Sequence, residues 1–327
     1  MSPSERPPRV AFLYPGSGSQ YLGMGKDFNE EVPVVRQYLD GLAGALGYDL
    51  RRTMFDGPEE ALFHPIASPT PSLFMEAISA LSLAVARVFE KRGIVPDALA
   101  GRSMGEYTAL MAAGCVDPAD GFHLLRCFAD QAQKDWSSLP GCVSTAFGLE
   151  RSEAATISRA VTREIGPCEI ICRYRARRMI VVGGAPDAVA AFEARARAAG
   201  ATKFIRSKEE GAIHTTLTAG LARRMARELK AIRLKRPSAP IWCNYDARPA
   251  ETERVLRHRL AAQLDHPVLW EETIAGLAAA GTRFFVELAP GRMLTDFLVP
   301  LPDGVEVLPT DTPKRLREAL RRLESRS

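Results

Sequence analysis

With 327 residues, 46% of them hydrophobic and 25% charged, the chain has the composition of an ordinary soluble globular protein and the length for one large domain or a domain with an insert. A net charge of +4 and a pI near 8.8 are too mild to argue for a nucleic-acid partner. No run of about 18 apolar residues is present to span a membrane, and the opening Met-Ser-Pro-Ser-Glu-Arg-Pro-Pro-Arg has no apolar stretch of the kind a secretory signal needs. Six cysteines (115, 127, 142, 168, 172 and 243) lack zinc or disulfide-framework spacing. Most lie in apolar stretches, so they read as reduced thiols in a cytoplasmic protein, with no metal expected.

In chain order, residues 10–14 read as a first strand running into a Gly/Ser turn, Pro15-Gly16-Ser17-Gly18-Ser19-Gln20. Helical patterns follow at Val34 to Leu46 and Pro71 to Arg92, then a strand at Ile94 to Ala100. A helix at Tyr107 to Ala113, which Gly114 can cap, and another from Pro118 to about Trp136 complete the first half. This alternation predicts an α/β fold with a parallel sheet covered by helices. After Ser137-Ser138-Leu139-Pro140-Gly141 the pattern changes. Strands are predicted at Cys142 to Phe147, Cys168 to Arg173, Met179 to Val182 and Lys203 to Ile205, with helices at Ser152 to Glu164 and Pro186 to Ala199. The order β-α-β-β-α-β within about 65 residues is a ferredoxin-like motif. Residues 138–207 are therefore expected to form a small subdomain inserted into a larger one made of 1–137 and 208–327. The remainder reads as helix (Leu217 to Ile232), strand (Ile241 to Asn244), helices (Glu253 to Leu264, Trp270 to Ala280), strand (Arg283 to Glu287) and a charged C-terminal helix.

Between the Ile94–Ala100 strand and its helix stands Gly101-Arg102-Ser103-Met104-Gly105, a G-x-S-x-G pattern. Elsewhere such a pattern can be a plain structural turn. At a strand-to-helix junction it projects the serine hydroxyl above the sheet, and the glycines let neighbouring backbone approach. The Met104 N–H then sits at a helix N-terminus, where developing negative charge is favoured. A serine nucleophile needs a base, and the chain has five histidines. His64 and His266 each precede a proline, His258 lies in a charged helix and His123 in an amphipathic one. His214 stands apart, at the junction between the insert and the returning helix, where clefts form. It is the candidate general base.

Five ordered segments carry a resemblance to the malonyl-CoA:acyl-carrier-protein transacylase family, which includes polyketide synthase acyltransferase domains. Phe12 to Gln20 with Gly23-Met24-Gly25 resembles F-x-F-P-G-Q-G-S-Q…G-M-G, and Gly101 to Glu106 resembles G-H-S-x-G-E. Gly211 to His214 resembles the A-F-H or A-S-H segment, Gln263 to Trp270 resembles Q-L-x-x-P-V-x-W, and Glu287-Leu288-Ala289-Pro290-Gly291 resembles E-x-G-P-G. The match spans about residues 10 to 300. It implies a large α/β-hydrolase-like subdomain carrying an inserted ferredoxin-like one. It further implies that Ser103 holds the acyl group as an ester, that His214 deprotonates it, and that the backbone carbonyl of Gln263 orients His214 in place of a triad carboxylate. The Ser17 and Met104 backbone N–H groups would form the oxyanion hole. No permanently bound cofactor is implied: the acyl group travels on CoA or on the phosphopantetheine of an acidic acyl carrier protein docked between the subdomains, to an enzyme that is commonly a monomer.

The departures from the family concern the substrate. Members that take malonyl units clamp the free carboxylate with an arginine 25 residues after the serine, and that position here is Phe128. Arg126 is two residues earlier, which on a helix turns it roughly 200° away. An apolar acyl pocket is the expectation, with Phe128, Ile213 and Arg102 around it, and an acyl or aminoacyl-type unit without a free carboxylate as its cargo. A shifted helix that returns an arginine to the pocket, and hence malonyl transfer, is the alternative. So is an editing hydrolase, with water as acceptor in place of the thiol. Arg102, where the family has histidine, would steer a CoA or pantetheine phosphate or would be an exposed strand-end residue. Arg173, Arg175, Arg177 and Arg178 would steer an acidic carrier protein, or form a solvated basic face.

Overall fold

The computed structural model describes residues 9–63, 72–138, 141–174, 178–207, 211–298, 301 and 303–325. The strands among them are β1 (Arg9–Tyr14), β2 (Ala98–Gly101), β3 (Cys142–Phe147), β4 (Cys168–Tyr174), β5 (Met179–Gly184), β6 (Lys203–Arg206), β7 (Ile241–Trp242), β8 (Pro249–Ala250), β9 (Thr282–Glu287) and β10 (Glu306–Pro309). The helices are α1 (Lys26–Glu31), α2 (Pro33–Leu46), α3 (Leu50–Asp56), α4 (Phe74–Lys91), α5 (Gly105–Ala112), α6 (Pro118–Ser138), α7 (Arg151–Glu164), α8 (Pro186–Ala198), α9 (Ala219–Ala231), α10 (Glu253–Ala262), α11 (Trp270–Ala279), α12 (Met293–Phe297) and α13 (Pro313–Glu324).

Two sheets result. The larger has the order β10-β9-β1-β2-β7-β8, parallel throughout except for the β7–β8 pair. β1 is its centre because both faces of the strand are apolar. Val10, Phe12 and Tyr14 point into a core shared with α4 and α5, while Ala11 and Leu13 point into a second core with Trp270 and Ile274 of α11. A strand buried on both sides reads as a continuous apolar run, as this one does. The smaller sheet is antiparallel in the order β4-β5-β3-β6, the ferredoxin-like arrangement predicted from the β-α-β-β-α-β pattern. Its period-2 alternation separates two tasks. Ala146, Ile180 and Val182 pack under α7 and α8 with Val189 and Phe192. Met179 and Val181, from the opposite face, meet the core around Trp270.

Several boundaries differ from the sequence expectation for local reasons. β2 starts at Ala98, not Ile94: Pro96 has no N–H to give a ladder, and the Ile94 N–H closes the end of α4 on the Phe89 carbonyl. β7 stops at Trp242, because Asn244 turns its hydrogen bonds toward residue 106. The helix predicted to run to Leu264 ends at Ala262 and tightens into a single 3₁₀ turn, Gln263–Asp265. The short elements α1, α3, α12, β8 and β10 carried too little periodicity to be predicted.

Candidate active site

β1 and β2 are parallel neighbours in register, Tyr14 opposite Gly101. The turn after each strand therefore opens at the same edge of the sheet, the carboxyl end, where ligands of open α/β sheets bind. Two glycines make the second turn sterically feasible. A Cβ on Gly101 would sit 2.0 Å from the Gly105 carbonyl carbon, and one on Gly105 would sit 2.4 Å from the Tyr14 oxygen. Ser103, between them, holds a left-handed backbone with φ 56, a conformation that costs a non-glycine residue about 1–3 kcal/mol.

Asn244 holds that backbone in place. Its Oδ1 accepts the Ser103 N–H at 2.7 Å, and its Nδ2 donates to the Gly101 carbonyl at 2.5 Å and to Glu106 Oε1 at 2.9 Å. The Asn244 N–H donates to the same Glu106 oxygen. Glu106 is fully buried, and burial pushes its carboxyl up to about 8. Sequence reading overlooked Asn244, because nothing marks a residue 141 positions from the serine it braces.

The structure brings Ser103 and His214 together: Oγ lies 2.7 Å from Nε2. His214 Nδ1 lies 2.7 Å from the Gln263 carbonyl oxygen, which as an acceptor fixes the tautomer with the proton on Nδ1 and a lone pair facing the serine. The Gln263 side chain also reaches the Ser103 carbonyl, at 3.4 Å. His214 has a left-handed φ of 66, and its N–H is held by the Leu264 carbonyl at 2.9 Å. Burial lowers the imidazole to about 4, with the nearby Arg102 charge adding to the effect and the Gln263 carbonyl opposing it. His214 is thus neutral and able to accept a proton at neutral pH.

Along the elbow the N–H groups of Arg102, Ser103, Gly105, Glu106 and Tyr107 are all spoken for by acceptors within the protein. The Met104 N–H, at the N-terminus of α5, meets no acceptor among the described residues, and neither does that of Ser17 across the site. Two free donors beside a serine hydroxyl suit a carbonyl oxygen that gains charge.

Ser103 opens into a cavity of about 450 Å³ between the two sheets. Phe128, Ile213 and Arg102 all line it. Phe128 is 1% exposed and packs against Tyr107 with ring centroids 5.8 Å apart. Arg126 faces away and pairs with buried Glu76 at 2.7 Å. Arg102 is not the exposed strand-end residue allowed by the sequence: it is partly buried, and its Nε donates to the Tyr174 hydroxyl of β4 at 2.6 Å. Tyr174 in turn stacks on Phe297 of α12 with centroids 4.2 Å apart. Glu287 holds α12 there, accepting the Leu294 and Thr295 N–H groups and the Thr295 hydroxyl. Of the arginines offered for docking, Arg173 is paired with Glu272 at 2.7 Å and Arg178 with Glu150 at 2.9 Å, while Arg175 and Arg177 lie outside the described residues. On the far face of α6, His123, Cys127 and Glu228 bring their ligand atoms within 4.8 Å of one another, a grouping that sequence spacing did not signal.

An α/β fold that presents a serine on a strained elbow, with a histidine behind it and free N–H donors beside it, is built for attack on a carbonyl carbon. The chain belongs to the acyl transferase domain family, whose model matches residues 11–301, and the protein is an acyltransferase. It is 28% identical to the malonyl CoA-acyl carrier protein transacylase of Bacillus subtilis (strain 168), over 97% of this chain and 98% of that one. It is 27% identical to the polyketide biosynthesis malonyl CoA-acyl carrier protein transacylase BaeC of Bacillus velezensis, over 92% and 99%. Its fold matches the malonyl-transacylase PlMCAT, solved in complex with the holo type II polyketide synthase acyl carrier protein AntF, with a TM-score of 0.88 and 28% identity over 96% of this chain and 99% of that one.

Two predictions come from this geometry. Reaction of Ser103 with an activated acyl ester should be level from about pH 8 to about pH 5 and decline only as the pH falls through about 4, because protonation of His214 removes the acceptor. A limb near the ordinary histidine value would mean that burial does not govern this imidazole. Asn244→Ala should lower the acylation rate by about a hundredfold through misplacement of the serine. Glu106→Gln should keep activity within a few-fold, since its amide oxygen can accept both Asn244 bonds; stopped-time intact-mass measurements check both.

Proposed function

We propose that the protein moves an acyl group without a free carboxylate, by way of an ester on Ser103, onto the phosphopantetheine thiol of an acyl carrier protein in polyketide or fatty-acid assembly. His214 Nε2 takes the Ser103 proton while Oγ attacks the thioester carbonyl, and the oxyanion is met by the Ser17 and Met104 N–H groups. The intermediate collapses by breaking the C–S bond, and the departing sulfur receives the proton from His214. The acceptor thiol then repeats the sequence in reverse, giving its proton to His214 and displacing Ser103. Gln263 takes the place of a triad carboxylate, stabilising the imidazolium with a carbonyl dipole.

The observation that carries the substrate reading is Phe128. A malonyl carboxylate placed against this ring would lose its water and gain no partner from α6, at a cost of several kcal/mol. Arg126 is committed to Glu76 on the other side of α6, so it offers no substitute. The carrier protein as acceptor is supported by the names of the relatives, which act between CoA and carrier-protein thioesters, and by the complex in which one of them was solved. Those names also speak for malonate, so the cargo is the point to test.

Intact-mass detection of the Ser103 adduct after brief exposure to malonyl-CoA and to neutral acyl thioesters of similar size should show the neutral groups loading at least about tenfold faster. Malonyl loading at an equal rate would overturn the reading. Phe128→Arg should reverse the preference, since a guanidinium there supplies the missing two-pronged partner. Release of free acid from the adduct, without transfer to carrier protein, would mark a hydrolase instead.

A further inference from the structure

The wall of the cavity next to Ser103 carries a positive charge that no acidic residue among the described ones pairs with. Arg102 is a permanent cation, and the groups that act on it are the Tyr174 hydroxyl and the Cys172 thiol, with no carboxylate pairing among the described residues. It contrasts in this with Arg126 and Arg173, whose charges are met by Glu76 and Glu272. One terminal nitrogen of the Arg102 fork comes within 3.7 Å of the Cβ position at Gly16, beside the turn that carries the Ser17 N–H. The guanidinium therefore stands close to where a bound thioester carbonyl would lie, in a cavity otherwise faced by Phe74, Met75, Phe128, Ile171 and Val181.

Two simpler roles account poorly for it. The phosphate of CoA or phosphopantetheine is at the opposite end of the arm from the sulfur that reacts at Ser103, so a group adjoining this serine is at the wrong end to meet it. A tie between the subdomains through Tyr174 needs one hydrogen bond and not a full charge, which is costly to take from water when no anion faces it.

We propose that Arg102 and the Tyr174 hydroxyl form a polar subsite for an oxygen carried by the acyl chain close to its thioester carbon, so that the favoured cargo is a β-oxygenated acyl group. A keto or hydroxyl oxygen at that position accepts from the guanidinium while the rest of the chain lies along the apolar wall. This deepens the reading given above, since such groups need carry no carboxylate, and it marks Arg102 as a residue that sets specificity.

The test uses the full-length protein, with butyryl-, 3-hydroxybutyryl-, 3-oxobutyryl- and malonyl-CoA, at neutral pH where His214 is unprotonated in every variant. The readout is the ratio of Ser103 loading by each oxygenated group to loading by butyryl, which a general loss of activity leaves unchanged. The 3-oxobutyryl or 3-hydroxybutyryl ratio should be about tenfold or more in the native protein, and should fall to within about twofold of unity in Arg102→Met. Tyr174→Phe, which keeps the ring on Phe297, should lower it part of the way. Oxygenated and butyryl groups loading alike, or an Arg102→Met variant that slows all of them equally, would overturn the subsite; the second result would assign Arg102 to the oxyanion. Malonyl loading fastest, with that advantage lost in Arg102→Met, would uphold the subsite and overturn the exclusion of a carboxylate. The two readings therefore fail separately.

Discussion

The site depends on a backbone conformation that its own residues do not favour. Ser103 and His214 both occupy the left-handed region, where a side chain crowds the peptide and a small free-energy cost is stored. Each is held by hydrogen bonds from a single later stretch of chain. Asn244, just past β7, accepts the Ser103 N–H and donates to the Gly101 carbonyl. The 3₁₀ turn after α10 presents the Gln263 carbonyl to the imidazole, and Leu264 takes the His214 N–H and the Thr218 hydroxyl. The serine comes from before the small subdomain and the histidine from after it. A common template, residues 244–264, sets their 2.7 Å separation without a direct covalent or strand contact between the two.

That template places a backbone carbonyl behind the imidazole, and no carboxylate pairs with His214 among the described residues. The imidazole is buried and its lowered affinity for protons favours the neutral form. A full negative charge behind it would raise that affinity and would itself be costly to bury. A carbonyl oxygen orients the ring at much lower electrostatic cost. The Met104 and Ser17 N–H groups, which meet no acceptor among the described residues, belong to the two turns at the carboxyl edge of the sheet.

How much of this could be read from the sequence follows the range of the interactions. The elbow was legible because its determinants are five adjacent residues, and the small sheet because its β-α-β-β-α-β order and period-2 alternation are local. His214 stood out only by elimination among five histidines and by its place at the junction. Asn244, Tyr174 and the Arg126–Glu76 pair were not legible, since their partners lie 141, 72 and 50 residues away. Tyr174 was further hidden in an arginine-rich segment, Arg173 to Arg178, which drew the reading toward the surface. The structure turns the ring inward instead, 1% exposed against Phe297, because the strand alternation that exposes one neighbour buries the next.

The pattern of charges around the cavity forms one connected arrangement. On α6 the apolar ring of Phe128 faces the cavity, and the helix's own Arg126 pairs with Glu76, a carboxyl that burial has pushed up to about 7. Glu76 directly follows Phe74 and Met75, which line the same cavity. The helix repeat already turns Arg126 roughly 200° from Phe128, and Glu76 meets its charge there, away from the cavity lining. Among the described residues that line the cavity, Arg102 is the cation beside Ser103, and its attachment to Tyr174 couples it to the small sheet. The cavity is thus apolar toward α6 and carries a cation toward β4.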